Sequence, residues 1–428
     1  MPVRTMALAP DPQVAQRDLL VDPVEVARRL SPRLGHHGPI TIECCERVRV
    51  KYRIGESLRV VHRVRVEGVW YVISARTFRN GSGAEAYHRA ADVAVGCGPL
   101  RPVVHDEALD TVFWTFPNDR KITRLWMLAG DPTPLEQMIG RPLSGTRVVA
   151  YAPEKIATLQ CLDTESTITA YAKVYAGDEG ARSYAVHASL ADSVTTACND
   201  LRVPMPMAFS AAHRTLVLEP INGRCLADLD GPALRAVARR LGVALARLHS
   251  APPPDTRPSL HPGLERLQHV ARLLGHARPD VASLAHDLAR DLAARWEASG
   301  DLPTCLHGDV NFRNWIIGED GVGLIDLDLV SVGPAAADLG SLLSGLRYRH
   351  RIGRISRMVE RQSASAVLAG YASVRALPAA SAVRWYTAAA LLTERALRAV
   401  TWMRSEALPH LDVLLRDARV ILRGDGDV

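Results

Sequence analysis

Lysine is the scarce residue of this chain: positions 51, 121, 155 and 173 hold the only four among 428 residues. Nearly all the positive charge is therefore arginine, and the net charge of +6 is modest. No basic run interleaves with aromatic residues, so no nucleic-acid partner is expected. No stretch approaches the apolar length needed to cross a bilayer. The start, MPVRTMALAPDPQVAQ, lacks a sustained apolar core and does not read as a secretory signal. The seven cysteines form no CxxC pair. An odd count without such pairs points away from zinc and disulfides, and the expected compartment is a reducing cytoplasm. The 47% hydrophobic content is that of a soluble globular protein, and the length suffices for two or three domains with real cores.

What is present concentrates in residues 305–343, CLHGDVNFRNWIIGEDGVGLIDLDLVSVGPAAADLGSLL. Asp309 follows His307-Gly308, Asn314 comes five positions later, and Asp326 stands twelve further on within an apolar run. Strand-like residues 314–317, a turn over 318–321 and strand-like residues 323–325 read as a hairpin. Such a hairpin brings Asn314 and Asp326 to one end, where a single ion can bridge them. The set suits phosphoryl transfer from a nucleotide. One carboxylate accepts the proton of an attacking hydroxyl, while an amide and a second carboxylate hold magnesium, a hard cation that prefers oxygen ligands.

The segment resembles the aminoglycoside phosphotransferase and choline kinase superfamily, with its H-G-D-x4-N followed by an apolar-flanked I-D. The resemblance implies a protein-kinase-like α+β fold, with a β-rich small lobe and a mainly helical large lobe. It implies ATP and Mg2+ as cofactors, Asp309 as the catalytic base, and Asn314 and Asp326 as metal ligands. Asp338, in Ala337-Asp338-Leu339-Gly340, matches a later family element and is expected to be a structural carboxylate at a helix start. His307 is expected to prop the loop rather than act as acid or base. The competing reading of the bare motif is an Asp-rich hairpin on an unrelated α/β domain.

Lysine scarcity makes Lys173 informative, within the alternating run ITAYAKVY. In the superfamily such a strand lysine holds the nucleotide phosphates; the alternative is an exposed strand lysine. The segment TLVLEPING that begins at Thr215 resembles the strand leading into a hinge, whose main chain around Glu219 and Ile221 would bind adenine. A buried strand ending in a Pro/Gly turn reads equally well. Two family features are missing. The turn YAPEKIA from Tyr151 has no glycine-rich phosphate loop, and the candidate helix 181–197 has no glutamate to pair with Lys173.

The small-lobe pattern occurs twice, at an offset near one hundred residues. RVRVKYRIGES from Arg47 parallels RVVAYAPEK from Arg147, and VWYVIS from Val69 parallels TAYAKV from Thr169. In this alignment Ile73 stands near the place of Lys173. Residues 1–144 are therefore expected to form a cap or small-lobe-like domain, 145–222 the small lobe and hinge, and 223–428 the large lobe. Within the last, 233–249 places Leu234, Val237, Leu241, Leu245 and Leu248 on one helical face. Residues 263–296 read as two helices, and the chain after Asp338 reads as helical with breaks near Gly353 and Pro378.

Between Asp326 and Asp338 there is no room for a protein kinase's long activation segment, so a small-molecule hydroxyl acceptor is preferred. Residues 341–428 hold fourteen arginines against seven acids, which argues against a polycationic aminoglycoside. Arg347, Arg349 and Arg351 are candidates for an anionic or polyhydroxy acceptor. Trp385, Glu394 and Trp402 are candidate acceptor-lining residues, with core packing as the alternative for each tryptophan. The expected activity is transfer of the γ-phosphate of ATP to a hydroxyl of a sugar-like or aminocyclitol-like metabolite, without membrane or nucleic-acid partners. The alternatives are a pseudokinase-type scaffold, or nucleotidyl transfer on the same fold.

Overall fold

A computed structural model describes residues 8–195, 200–253, 263–296, 303–319 and 321–424. The chain divides into two compact units: residues 10–182 with 206–220, and residues 183–205 with 221–428 and the first nine.

The first unit holds two five-stranded antiparallel sheets of the same strand order. One contains Cys44–Arg53, Ser57–Val66, Val69–Thr77, Val103–Asp106 and Thr111–Thr115, with the last strand inserted between the third and fourth. The other contains Gly145–Ala152, Ile156–Leu162, Ile168–Tyr175, Pro206–Ser210 and Thr215–Leu218, and its last strand is inserted in the same way. Each first strand carries a bulge, at Arg47/Arg49 and at Val148/Ala150. A helix follows each third strand, Ser82–Ala91 in one copy and Glu179–Thr195 in the other. The last two positions of the expected helix 181–197 lie outside the described residues. The alternating sequence explains the strands: one face of Ile168–Tyr175 puts Ala170, Ala172 and Val174, none of them exposed, against Leu159 and Val217. Burying each large aliphatic side chain here contributes about 1.5–3 kcal/mol.

Strand register corrects one expectation. In the second sheet Lys173 pairs with Thr158, third residue of its strand, and with Leu216, second residue of its own. Counting in the same way in the first sheet, Arg59 and Val112 both pair with Arg76. The position of Lys173 is thus occupied in the first copy by a second cation, Arg76, and not by Ile73. The shift builds up because the first copy is longer both between bulge and turn and between its second and third strands, where seventeen positions separate Arg59 from Arg76 and fifteen separate Thr158 from Lys173.

The second unit is mainly helical, with helices Gly231–Ser250, Leu264–Ala277, Ala282–Ala294, Ala336–Arg351, Arg357–Ala372, Ala380–Ala390 and Leu411–Arg423 among its elements. Asp230 caps the first of these by accepting the N–H of Ala233 at 2.9 Å, with Pro232 fitting the first turn. Leu234, Leu241, Leu245 and Leu248 are buried as the helical spacing predicts, while Val237 is half-buried. Gly242 and Gly370 let this helix and Arg357–Ala372 approach closely. A Cβ on Gly242 would lie 1.9 Å from the Val367 carbonyl oxygen, and one on Gly370 would lie 2.1 Å from that of Arg239. A four-stranded sheet sets Trp315–Ile317 against Val322–Leu324, and Thr304–Leu306 pairs with Ser331–Gly333. The expected hairpin thus forms, with residue 320 of its turn outside the described residues. A five-stranded sheet followed by a mainly helical unit is the α+β order expected from the sequence, with an additional sheet before it. No described helix is long and apolar enough to cross a membrane.

Candidate active site

The loop 307–309 is built on buried Asp338. This carboxylate, at the start of helix Ala336–Arg351, accepts the N–H of His307 at 2.7 Å and of Gly308 at 3.1 Å. It also meets His249 Nε2 at 3.3 Å, and His249 Nδ1 meets the Tyr371 hydroxyl at 2.9 Å. Burial pushes the Asp338 carboxyl up, but His249 and His307 outweigh burial and hold it below the usual carboxylate range. His307 is fully buried; its Nδ1 accepts the Asp309 N–H at 3.2 Å and its Nε2 donates to the Ile325 carbonyl at 3.0 Å. It joins the loop to the second strand of the hairpin.

Asn314 lies at the hairpin's beginning and donates Nδ2 to the Asp309 carbonyl at 3.0 Å. That bond turns its Oδ1 the other way. The Ile325 N–H reaches the Asn314 carbonyl at 2.9 Å, so the residue before Asp326 is tied directly to Asn314. Asp326 has φ +65°, a left-handed conformation costly for a non-glycine residue and common at functional sites. Gly308 has φ +79°, and a Cβ there would lie 2.3 Å from the Leu329 carbonyl oxygen. The loop 307–309 therefore packs directly on the turn that follows Asp326. The donor set offered by Asn314 and Asp326 is oxygen, which fits magnesium rather than a soft metal.

Sequence reasoning missed Arg398. Its Nη2 donates to Asp309 Oδ1 at 3.0 Å, fixing one carboxylate oxygen. Among the described residues the other oxygen takes no hydrogen bond. Arg398 follows a π-helical turn, Leu391–Ala396, a distortion found frequently at functional sites. Neighbouring Arg395 is buried, bonded to the Ser344 hydroxyl and the Ser341 carbonyl, and burial lowers its proton affinity. The spacing of Arg395 and Arg398 gave no signal, because a π turn breaks the helical period.

Ile221 packs on the hairpin, its Cγ2 2.7 Å from where a Cβ on Gly323 would stand. Lys173 and Glu219 belong to the sheet unit, Lys173 being buried with Nζ 5.8 Å from the Tyr175 ring centre. Arg347 is taken up by Glu360 and Asp417, and Arg351 by Asp417. Arg349 donates to the Ala227 and Leu229 carbonyls. Trp385 is buried and donates to the Leu292 carbonyl at 2.9 Å. Glu394 accepts from the Ser341 hydroxyl at 2.8 Å. Arg398 and Arg404 lie over the Trp402 ring, at 5.5 and 4.6 Å.

Asp309, Asn314 and the residue before Asp326 are thus drawn together by one loop, one hairpin and one buried aspartate. Residues 182–377 match the phosphotransferase enzyme family, in agreement with the resemblance drawn from the HGD, Asn314 and Asp326 pattern. No curated protein matches. Among solved structures, the chain is similar to the aminoglycoside phosphotransferase APH(3'')-Id of Streptomyces rimosus, at 22% identity and TM-score 0.43, covering 64% of this chain and 99% of that one. It is similar to the spectinomycin phosphotransferase APH(9)-Ia at 12% identity and TM-score 0.48, covering 70% and 98%. It is also similar to the macrolide 2'-phosphotransferase MphH of Brachybacterium faecium, at 16% identity and TM-score 0.43, covering 69% and 97%.

Proposed function

We propose that this chain transfers the γ-phosphate of ATP to a hydroxyl of a small sugar-like or aminocyclitol-like molecule. The observation that carries the reading is Asp309 on a loop held by buried Asp338 and tied through Asn314 to the turn bearing Asp326. Arg398 fixes one oxygen of Asp309, and the other takes the hydroxyl proton as the acceptor oxygen bonds to phosphorus and ADP leaves. Asn314 and Asp326 would hold Mg2+, which neutralises phosphate charge when bound. Lys173 would steady the phosphates, and the main chain at Glu219 and Ile221 would bind adenine. In this reading residues 1–144 form a cap domain, 145–222 the small lobe and hinge, and 223–428 the large lobe, working in the cytoplasm.

The test is Asp309→Ala, assayed by ATP consumption over a panel of sugars, aminocyclitols and aminoglycosides. Turnover is expected to vanish while calorimetric Mg-ATP affinity stays close to wild type. Turnover at the wild-type rate would reject the assignment. Mass spectrometry of the product separates added phosphate from added nucleotide, and Mg-ATP binding without turnover on any acceptor would favour a scaffold.

A further inference from the structure

The two sheets place a cation at the same register position, Arg76 in one and Lys173 in the other, and Arg76 already has an anion. The turn between Gly145–Ala152 and Ile156–Leu162 carries Glu154, at φ +63°, into a crevice of the first sheet. Arg120 grips that carboxylate with two bonds, Nε to Oε1 at 2.8 Å and Nη2 to Oε2 at 2.9 Å. Arg76 Nη1 adds a third at 2.7 Å, and Arg59 Nη1 stands 3.5 Å from Oε2 while bonding the Pro153 carbonyl at 3.0 Å. Asp119 is the other acid beside the crevice. Its oxygens are occupied by the Tyr151 hydroxyl and by the N–H groups of Lys121, Ile122 and Glu154. Three guanidiniums thus converge on one carboxylate, and Arg76 Nε is buried with no partner.

Arginine forks match carboxylates and tetrahedral oxyanions alike, and a tetrahedral oxyanion offers three converging arginines more oxygens than the two of a carboxylate. We propose that Arg59, Arg76 and Arg120 form an oxyanion site of the phosphate or sulfate class, and that Glu154 is its built-in occupant. In occupying it, Glu154 fixes the turn that precedes the strand paired with Lys173. The sheet copy that bears Arg76 then serves as a clamp on the other copy. This reading stands on the sheet unit alone and holds whether or not the chain is a kinase.

The probe is inorganic sulfate at constant ionic strength, balanced with chloride, with thermal unfolding as the readout. Wild type is expected to show only the general stabilisation that sulfate, excluded from protein surfaces, gives any fold. Glu154→Ala is expected to unfold at a lower temperature and to regain part of the loss as sulfate rises. The double variant Glu154→Ala with Arg120→Ala is expected to lose that response. Glu154→Gly, which suits the positive φ at this position, also empties the site and carries the same comparison if the alanine variant does not fold. Hydrogen exchange at residues 153–156 is expected to quicken in either single variant. Equal sulfate response in wild type and variant, or none in either variant, would overturn the proposal.

Discussion

Asp338→Asn tests the foundation of the candidate site. The wild-type residue is 2% exposed, and its carboxylate accepts two main-chain N–H groups while facing His249. Asparagine keeps the shape but has a single acceptor, so its NH2 must face one of these donors. A hydrogen bond to a charged group is worth about 1.5–3 kcal/mol, and breaking one partner of a buried pair costs about 3–5 kcal/mol. A loss of about 3 kcal/mol is therefore expected; for a unit of this size it lowers the melting temperature by roughly 6–12 °C. The pH dependence carries a sign. Because the folded carboxyl lies below its ordinary range, its contribution is fully present above the unfolded value of about 4 and disappears as pH falls through the folded one. The difference between wild type and variant should stay flat from neutrality down to about pH 5 and shrink in acid. Urea and thermal unfolding across that range measure it. A difference under about 1 kcal/mol, or one that widens in acid, would refute the account of Asp338 as the buried acceptor holding the loop.

Three further outcomes are expected. His62, fully buried with Nε2 3.0 Å from the Leu20 carbonyl, is pushed down to about 4 by burial. The unfolded chain then binds the extra proton as pH drops from 6.5 towards 4, and stability on the order of 3 kcal/mol is lost in that window; His62→Gln should lack that slope in urea titrations. Gly242→Ala puts a methyl group 1.9 Å from the Val367 carbonyl and should destabilise by about 1–3 kcal/mol despite alanine's better helix propensity, seen as a lowered urea midpoint. Arg398→Gln frees the Asp309 carboxylate and should lower kcat about tenfold or more, near 1.4 kcal/mol in the barrier, with KM for Mg-ATP little changed. An unchanged kcat would leave Arg398 a purely structural partner.

The motif from His307 to Asp326 was legible because it closes on itself locally. A turn, a short helical step and a hairpin suffice to bring Asp309, Asn314 and the residue before Asp326 into hydrogen-bond contact, and each contact spans fewer than twenty residues. The helices of the second unit were legible for the same reason, since apolar periodicity is a local property. Even the repeated sheet left its trace, because both copies keep the same strand order. The register within those copies did not, since a change in hairpin length moves every pairing while leaving the alternating pattern intact.

The sequence by itself thus determined which groups carry the candidate chemistry and in what order. Tertiary structure alone decided which cation faces which anion. Arg398 reaches Asp309 across eighty-nine positions, and Arg76 reaches Glu154 across seventy-eight. Arginines are so numerous in this chain that nothing local distinguishes those from their solvated neighbours. An ion pair forms where packing brings two side chains together, and only the folded chain specifies that place.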